Sequence, residues 1–382
     1  MIHLFIKDLF ENIFTYIYVL YILATVCQLF FFFIMFSKLI FYKKKEQKVT
    51  SNHEPNVSVI VCAHNEEKNL ATKLHRILDQ SYRYFEVIVV DDHSTDNSMA
   101  VLLEYQKKYT YLRIVNNSYI KNTLGKKQAL TLGIESAAHE ILLLTDADCM
   151  PKSKFWIRDM VAELDHEKSM VLGFSPYTDA EQTLLNRWTR FEAVYTALQY
   201  FSFALWRFPY MGVGRNLLYH KDLYKQSNGF TSHLHLASGD DDLFVNAIAN
   251  GRNVAIAVQA TTFVETDAKT TWSAYFRQKR RHFTTGKHYK LGHQLLLGAL
   301  ATSHCGHYGG AFFLLLSGTH IETVILIYLV RMAIVFGIYA SLLTRFEDRK
   351  LLPWIPVLDA GVAIYYSIFS PAIWIGNNRT WK

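Results

Sequence analysis

The stretch VSVIVCAHNEEKNLATKLHRILDQSYRYFEVIVVDDHSTD, residues 57–96, indicates the fold. It begins with a β-branched run (residues 57–63), continues with apolar residues at helical spacing (70–78), and ends with a second apolar run (85–90) before acidic residues. A strand, a helix and a second strand in this order are typical of a βαβ unit, in which the two strands run parallel.

The same alternation continues along the next fifty residues. A helical pattern starts near residue 97, and residues 112–115 form a short strand pattern. Another helical pattern covers residues 126–136, and ILLLT at 141–145 is again a strand. Near-continuous apolar strands separated by helices predict an α/β, Rossmann-like domain with a mostly parallel sheet that helices cover on both faces.

Polar and acidic residues follow three of the predicted strands. They are His64, Asn65, Glu66 and Glu67 after the first strand, the run DDHSTD at 91–96 after the second, and Asp146 and Asp148 after the fourth. In parallel sheets ligands bind beyond the carboxyl ends of the strands, and gathered carboxylates are stabilised by a divalent cation or by hydrogen-bond donors. Helix capping and turn formation explain such residues singly, but three strand ends together favour a binding site.

Glycine patterning argues against two common nucleotide-binding classes. The only GxG sequence, Gly212 to Gly214, follows no clear strand and lacks a third glycine. A Rossmann dehydrogenase or a P-loop enzyme is therefore disfavoured. The formal charge of +7 is modest over 382 residues and does not indicate nucleic acid; an anionic membrane surface or a phosphate-bearing substrate fits it equally well. The four scattered cysteines indicate small apolar packing rather than a disulfide framework or a zinc site.

The N-terminal region predicts a membrane anchor. The chain is 51% hydrophobic and 19% charged, and residues 12–37 carry no formal charge. Residues 12–42 are therefore interpreted as a transmembrane helix rather than a cleaved signal peptide, whose apolar region is shorter and follows basic residues. The cluster Lys43, Lys44 and Lys45 comes after the apolar run, which places the next domain in the cytoplasm and the protein in the cytoplasmic membrane.

A second membrane region of two or three helices is expected at residues 292–376. Two spans fit residues 295–316 and 321–343, and residues 351–375, with three prolines and Asp359, form a third candidate. Titratable residues of this region include His304, His307, Glu322 and Arg331. Such groups mark transport pathways or helix packing, and both interpretations remain open here.

The domain between these regions, residues 55–290, resembles the family 2 glycosyltransferases, which have the GT-A fold. The motifs that carry the resemblance are VSVIVCAHNEEKNL (57–70), VIVVDDHSTD (87–96), GKKQAL (125–130), LLLTDADCMP (142–151), GVGRN (212–216), SGDDDLF (238–244) and QKRRH (278–282). Together they are similar to the membrane-anchored bacterial type that includes synthases of cellulose, chitin and hyaluronan. The resemblance implies a nucleotide-sugar donor, and it implies that the domain ends in an interfacial helix.

Donor-side roles follow from the resemblance. The residues that it assigns to the nucleotide sugar are Asn65, Glu67, Asp91, Asp92, Lys126, Asp146, Gln278, Arg280 and Arg281. Asp148, with Asp146, would bind Mg²⁺ or Mn²⁺. A cation there would stabilise the departing diphosphate without a proton transfer. Of the basic residues beside the QKRRH motif, Lys279 or Lys287 is expected to contact anionic lipid.

Acceptor-side roles follow in the same way. Asp240 matches the family's catalytic base, which takes the proton of the acceptor hydroxyl, although Gly239 replaces the usual Glu and Asp241 is the alternative. Gly214, Arg215 and Asn216 match the acceptor-binding segment. His282 stands where processive members have Trp, which disfavours long-chain polymerisation.

The sequence therefore predicts an inverting, metal-dependent hexosyltransferase that acts on a lipid-linked or polysaccharide acceptor. Two alternatives remain. One is a processive synthase that threads its polymer through the C-terminal helices, and the other is a non-catalytic membrane subunit that binds nucleotide sugars.

Overall fold

The computed structural model describes residues 2–43, 54–118 and 125–371, with side chains from residue 12 onward. The chain divides into two compact units. One contains the N-terminal helical segment and the helices after residue 290, and the other contains the α/β domain between them. The end of the third predicted span, residues 372–375, lies outside the described residues.

Helices and strands alternate through the first half of the α/β domain. The strands of the domain are β1 (Val57–Ala63), β2 (Phe85–Asp91), β3 (Leu112–Asn116), β4 (Ile141–Asp146), β5 (Cys149–Pro151), β6 (Met170–Leu172), β7 (Leu217–His220), β8 (Val254–Ile256) and β9 (Val264–Thr266). The α-helices among the described residues are α1 (Ile2–Leu29), α2 (Ser37–Ile40), α3 (Glu67–Leu78), α4 (Ser98–Lys108), α5 (Lys127–Ser136), α6 (Trp156–Val161), α7 (Leu184–Leu205), α8 (Lys221–Gln226), α9 (Asp242–Ile248), α10 (Trp272–Phe283), α11 (Leu291–Ser317), α12 (Ile321–Arg345) and α13 (Ile355–Phe369).

In the described part of the domain, seven strands form one sheet in the order β3-β2-β1-β4-β7-β6-β8. Strand β7 is antiparallel to both of its neighbours, and the other pairings in the sheet are parallel. A separate antiparallel pair joins β5 to β9. The predicted mostly parallel α/β sheet is confirmed.

The sheet is buried because its central strands are apolar on both faces. All seven residues of β1 are buried, and α3 packs Leu70, Leu74, Ile77 and Leu78 into the same core. On β4, Ile141 to Thr145 are buried, whereas Asp146 at the carboxyl end is partly exposed. On β4, burial thus stops at Asp146, which places this acid at the open edge of the sheet.

The helical unit contains long apolar helices. Three helices among the described residues are long and apolar enough to cross a membrane, namely Asn12–Ile40, Ile321–Arg345 and Arg349–Phe369. The predicted span at 295–316 lies within α11, which is 27 residues long but is not one of these three. Gly318 ends α11 in the left-handed conformation, a common helix termination.

Buried polar residues of the helical unit pair with one another. Arg331 donates from Nη1 to Asp359 Oδ2 at 2.5 Å and from Nη2 to Gln28 Oε1 at 2.6 Å. Tyr308 also donates to Asp359 Oδ2, at 2.6 Å, and His304 Nδ1 lies 2.9 Å from Gln28 Nε2. These contacts join α1, α11, α12 and α13, and they support the packing interpretation of Arg331 and His304.

Candidate active site

Two of the predicted acidic groups meet at one lysine. Lys126 Nζ lies 2.8 Å from Asp146 Oδ1 at the end of β4, and 3.0 Å from Asp240 Oδ2 just before α9. The Lys126 side chain is mostly buried, so these contacts are only partly screened by water. Burial opposes the charge of Lys126, but Asp146 and Asp240 raise its pKa well above the ordinary value. The resemblance placed these three residues in one site, and the structure brings them together.

The loop before α5 fixes the position of this lysine. Gly125 has φ +75°, and a Cβ atom there would lie 2.3 Å from the Ala237 carbonyl oxygen. Next along the chain, Lys127 Nζ donates to the Leu236 and Ser238 carbonyl oxygens, both at 2.6 Å. These hydrogen bonds hold the segment that leads to Asp240 against the start of α5.

The adjacent acids after β2 have different environments. Asp92 is buried, and its Oδ1 accepts a hydrogen bond from Asn117 Nδ2 at 2.7 Å. His64 Nδ1 donates to the Asp92 carbonyl oxygen at 2.6 Å. Asp91 is also buried, but its Oδ1 has no hydrogen-bond partner in the described part of the chain. Of the two acids, Asp91 therefore has a buried carboxylate oxygen that the described part of the protein does not use.

Asn65 and Glu67 hold two neighbouring loops together. Asn65 has φ +56°, and its Oδ1 accepts from the Thr95 backbone N–H at 2.7 Å. Glu67 Oε1 accepts from Asn97 Nδ2 at 3.1 Å. Both side chains join the loop after β1 to the loop after β2, so their contacts within the protein organise the same strand ends where a nucleotide is expected.

Asp146, Asp148 and Cys149 each offer a ligand atom, and these atoms lie within 4.8 Å of one another. Burial and the nearby Asp146 carboxylate raise the pKa of Asp148, while Arg215 opposes this shift. A divalent cation would remove the repulsion between the two carboxylates, whose hard oxygen atoms suit Mg²⁺ or Mn²⁺. The residues present therefore fit the predicted metal.

Three consecutive aspartates before and at the start of α9 have separate partners. Asp240 contacts Lys126, and although burial disfavours its charge, Lys126 and Lys127 lower its pKa. Asp241 Oδ2 accepts from the Gly214 N–H at 2.7 Å, and burial with the flanking carboxylates raises the pKa of Asp241 to about 7. Asp242 is held by Thr285 at 2.5 Å and by Tyr289 at 2.7 Å.

The environments of these aspartates distinguish the two predicted bases. The Asp240 carboxylate is ionised at neutral pH, and it contacts the same Lys126 ammonium that contacts Asp146. A general base must be ionised, which holds for Asp240 at neutral pH, whereas the pKa of Asp241 lies nearer to the operating pH at which base catalysis is most effective. Asp241 accepts hydrogen bonds from two backbone N–H groups, those of Gly214 and Asp242, so it also caps the helix and anchors a neighbouring turn.

The turn at 214–216 is anchored by Asn216 rather than offering it to a ligand. Asn216 is fully buried, and its amide donates to the Phe174 and Thr262 carbonyl oxygens, both at 2.8 Å. Its Oδ1 accepts from Trp156 Nε1 at 3.0 Å. Because both amide hydrogens are used within the fold, the predicted acceptor contact of Asn216 is corrected to a positioning role for this turn.

The QKRRH segment lies on α10. Lys279, one of the two lysines expected to contact lipid, is buried and paired with Glu192, so that expectation is wrong for Lys279. Gln278 and Arg281 are partly buried, and Arg280 is exposed. Desolvation and the positive charges of Arg281, Lys279, Arg215 and Lys126 lower the pKa of His282 well below its ordinary value, so its imidazole is neutral at pH 7.

Sequence reasoning missed Cys62. In the β1–β4 pair its Cα partner is Asp146, and the side chain is buried. Burial raises the pKa of its thiol, and Lys126, Asp146, Asp240 and Asp92 all act on it electrostatically. Cys62 therefore lies among the acids of three chain segments. Once β1 and β4 are paired, their register places Cys62 opposite Asp146, and this is the signal that could have identified Cys62.

Comparison with solved structures identifies the class of fold. The chain is similar to the mannosyltransferase PcManGT from Pyrobaculum calidifontis, whose structure was determined in complex with GDP-Man and Mn²⁺. The TM-score is 0.60 and the sequence identity 17%, over 92% of this chain and 99% of that chain. The mostly parallel sheet is thus of the GT-A type, and an identity this low supports the fold alone.

Sequence comparison finds similarity to glycosyltransferases. The model of "Glycosyl transferase family 2" matches residues 58–226 of this chain. An uncharacterised glycosyltransferase of Haemophilus influenzae is 34% identical over 111 residues, 29% of this chain and 33% of that protein. The probable glycosyltransferase YdaM of Bacillus subtilis is 25% identical over 234 residues, 59% of this chain and 54% of that protein. The chain thus spans about a third to a half of the length of these relatives.

Proposed function

We propose that this protein is an inverting hexosyltransferase. It transfers a sugar from a nucleoside-diphosphate sugar, with UDP as the expected carrier, to a hydroxyl group of a lipid-linked or polysaccharide acceptor. The site faces the cytoplasm from a multi-pass protein of the cytoplasmic membrane. The observation that carries the proposal is the contact of Lys126 with both Asp146 and Asp240, because it joins the predicted donor side and the predicted base in one site.

The donor side is the carboxyl edge of β1, β2 and β4. Asp91 supplies an unused, buried carboxylate oxygen for the base or ribose. Asp146 and Asp148 would hold Mg²⁺ or Mn²⁺, which when bound supplies positive charge to the leaving diphosphate. Arg281, which lies on α10, adds the positive charge of a protein side chain to that of the cation.

Asp240 takes the proton from the acceptor hydroxyl as that oxygen attacks the anomeric carbon. In a single displacement the attacking oxygen and the leaving diphosphate lie on opposite faces of the sugar ring, which inverts the configuration. The lowered pKa of Asp240 keeps its carboxylate ionised and ready to accept a proton. Lys126 holds this carboxylate and the Asp146 carboxylate in a fixed relation.

Relatives support the substrate class. The similar mannosyltransferase was solved with GDP-Man and Mn²⁺, a nucleotide sugar with a divalent cation. A partial relative from Bacillus subtilis is described as a putative teichuronic acid biosynthesis glycosyltransferase, TuaG. The similarity to polysaccharide synthases remains a prediction, and His282 in place of Trp favours transfer of single sugars over polymerisation.

The direct test uses the full-length protein purified in detergent. It is incubated with a panel of UDP-, GDP- and dTDP-sugars, with and without a membrane lipid extract, and the released nucleoside diphosphate is measured. Release that depends on the extract supports transfer to a lipid-linked acceptor. Binding of a nucleotide sugar without turnover under any condition would instead support the non-catalytic alternative. Product length by mass spectrometry distinguishes single transfer from processive synthesis.

A further inference from the structure

Arg215 is a cation with unused hydrogen-bond donors at the edge of the site. Its guanidinium carbon lies 4.8 Å from the centre of the Tyr177 ring, a cation–π contact. Within residues 2–43, 54–118 and 125–371, the guanidinium makes no hydrogen bond and no ion pair. Five N–H donors are therefore held in place without a partner inside the described protein.

The Tyr177 ring, which serves as the platform for the Arg215 guanidinium, is joined to the segment that carries Asp148. Tyr177 forms a β-bridge with Thr266, and Thr266 pairs with Cys149 across β5 and β9. Thr266 Oγ1 also donates to the Asp148 carbonyl oxygen at 3.3 Å. The backbone thus connects the ring under Arg215 directly to the proposed metal-binding acids.

The other side of Arg215 is fixed by its chain neighbours. Gly214 donates its N–H to Asp241 Oδ2, and Asn216 is buried in hydrogen bonds to the fold. A Cβ atom on Gly214 would lie 3.2 Å from the Asp241 side chain, so this turn and the aspartates before α9 are in close contact. Arg215 therefore lies on a rigid turn between the Asp148 segment and the Asp240–Asp241 pair.

Electrostatics agree with this placement. Burial disfavours the charge of Arg215, but Tyr177, Cys149, Asp148 and Asp146 raise its pKa further above the ordinary range. The guanidinium stays protonated at every physiological pH, and its planar fork matches the oxygen atoms of a phosphate. Lys126, in contrast, is already paired with two carboxylates.

We propose that Arg215 binds the diphosphate of the donor, and not the acceptor to which the sequence resemblance assigned it. This inference rests on the proposed function, because it assumes a nucleoside diphosphate at the Asp146–Asp148 edge. Arg215 would then share the charge of the leaving group with the divalent cation. Tyr177 would keep the guanidinium oriented before the donor arrives, which lowers the entropy cost of binding.

The test measures binding without turnover. The affinities of UDP and GDP for the full-length protein in Mn²⁺ are determined by calorimetry, and those of uridine and guanosine by competition. Arg215→Gln should weaken binding of the diphosphate about 10- to 100-fold, as expected for loss of one or two charge-assisted hydrogen bonds, and leave the nucleoside unaffected. Arg215→Lys keeps the charge but not the planar fork of N–H donors, so its affinity for the diphosphate should lie between those of the wild type and Arg215→Gln. Arg252→Gln removes an exposed guanidinium and serves as the matched control.

Each outcome has a distinct meaning. If the wild-type protein binds neither UDP nor GDP and releases no nucleoside diphosphate from any sugar of the panel, the proposed function fails, and this inference fails with it. If the wild-type protein binds and the Arg215→Gln variant binds the diphosphate equally well, only the inference is overturned. A raised KM for the acceptor in that variant would then restore the acceptor role. Should Arg215→Gln unfold, Tyr177→Leu, which removes only the platform, must still weaken diphosphate binding.

Discussion

The Asp240 carboxylate lies 3.0 Å from the Lys126 ammonium. Lys126 comes directly before α5, and Asp240 comes shortly before α9, so the contact joins segments that are more than a hundred residues apart in the chain. The ammonium favours the ionised form of Asp240 and also holds Asp146. This arrangement leads to the first prediction, which concerns the identity of the base.

Asp240→Asn should lower kcat by roughly 10²- to 10⁴-fold, the usual contribution of a positioned general base. The amide cannot accept the proton, whereas its similar shape preserves the site. Affinity for the donor should change little, because Asp146 still holds Lys126. The measurement combines steady-state kinetics with calorimetric binding of the nucleoside diphosphate.

Asp222→Asn is the matched control for this variant. Asp222 is exposed on α8 and paired with Lys225, at 2.9 Å, so its loss should leave kcat unchanged. An Asp240→Asn protein that turns over at the parent rate would assign the base elsewhere, with Asp241 the first candidate.

The pH dependence of kcat/KM separates the two aspartates. A base with a lowered pKa is ionised throughout the range above it, so with Asp240 as base kcat/KM should stay level from pH 8 down to pH 5. Asp241, whose pKa is raised to about 7, would instead lose its charge below that pH. The rate would then fall about tenfold per pH unit below 7.

The profile of Asp241→Asn provides the control. If the wild-type rate does fall below pH 7 and the fall disappears in this variant, Asp241 controls the rate and the assignment of Asp240 is wrong.

Metal removal tests the role of Asp148. A chelator should abolish transfer, and Mn²⁺ or Mg²⁺ should restore it. Asp148→Asn should raise the Mn²⁺ concentration for half-maximal activity at least about tenfold, since disturbing even an outer partner of a metal ligand has that effect. Electron paramagnetic resonance of bound Mn²⁺, with no substrate present, gives a second readout. Full activity in the chelator would remove the metal from the proposal.

The sequence predicted the first half of the domain well, for a physical reason. Strands β1, β2 and β4 are buried on both faces, so their apolar runs are continuous, and β1 was predicted with the bounds that the structure has. Strands β6 and β8 have only three residues each, too few for any periodicity to be recognised. The sheet in that half depends on tertiary pairing that no local pattern records.

The sequence predicted which residues belong to the site, but not which partners their side chains contact. A resemblance places Asn216 in a motif, but it cannot tell that Trp156, Phe174 and Thr262 use its side chain. Similarly, a basic residue near a predicted membrane helix looks ready for lipid, whereas Lys279 pairs with a buried Glu192 that lies far away in sequence. Partners distant in the chain decide such cases, and they appear only once the fold is known.

The last prediction concerns Arg331 and Asp359 of the helical unit. Both side chains are fully buried, Tyr308 donates a further hydrogen bond to Asp359, and Gln28 accepts one from Arg331. Arg331→Met or Asp359→Leu alone leaves one buried charge without its partner, which should lower the free energy of unfolding by about 3–5 kcal/mol. The double variant replaces the pair with apolar side chains and should recover most of that loss. Unfolding in detergent, monitored by circular dichroism, gives the free energies of unfolding of the wild type, the two single variants and the double variant.

Arg349→Met, which removes an exposed charge from the same unit, should leave stability unchanged. The cycle also tests the transport interpretation of these buried residues. If the pair serves helix packing, the double variant should fold and keep the transferase rate of the parent. If the two single losses simply add in the double variant, the residues do not act as a pair. A stable double variant without transferase activity would instead indicate that the charges themselves serve the reaction, since packing alone would have been restored.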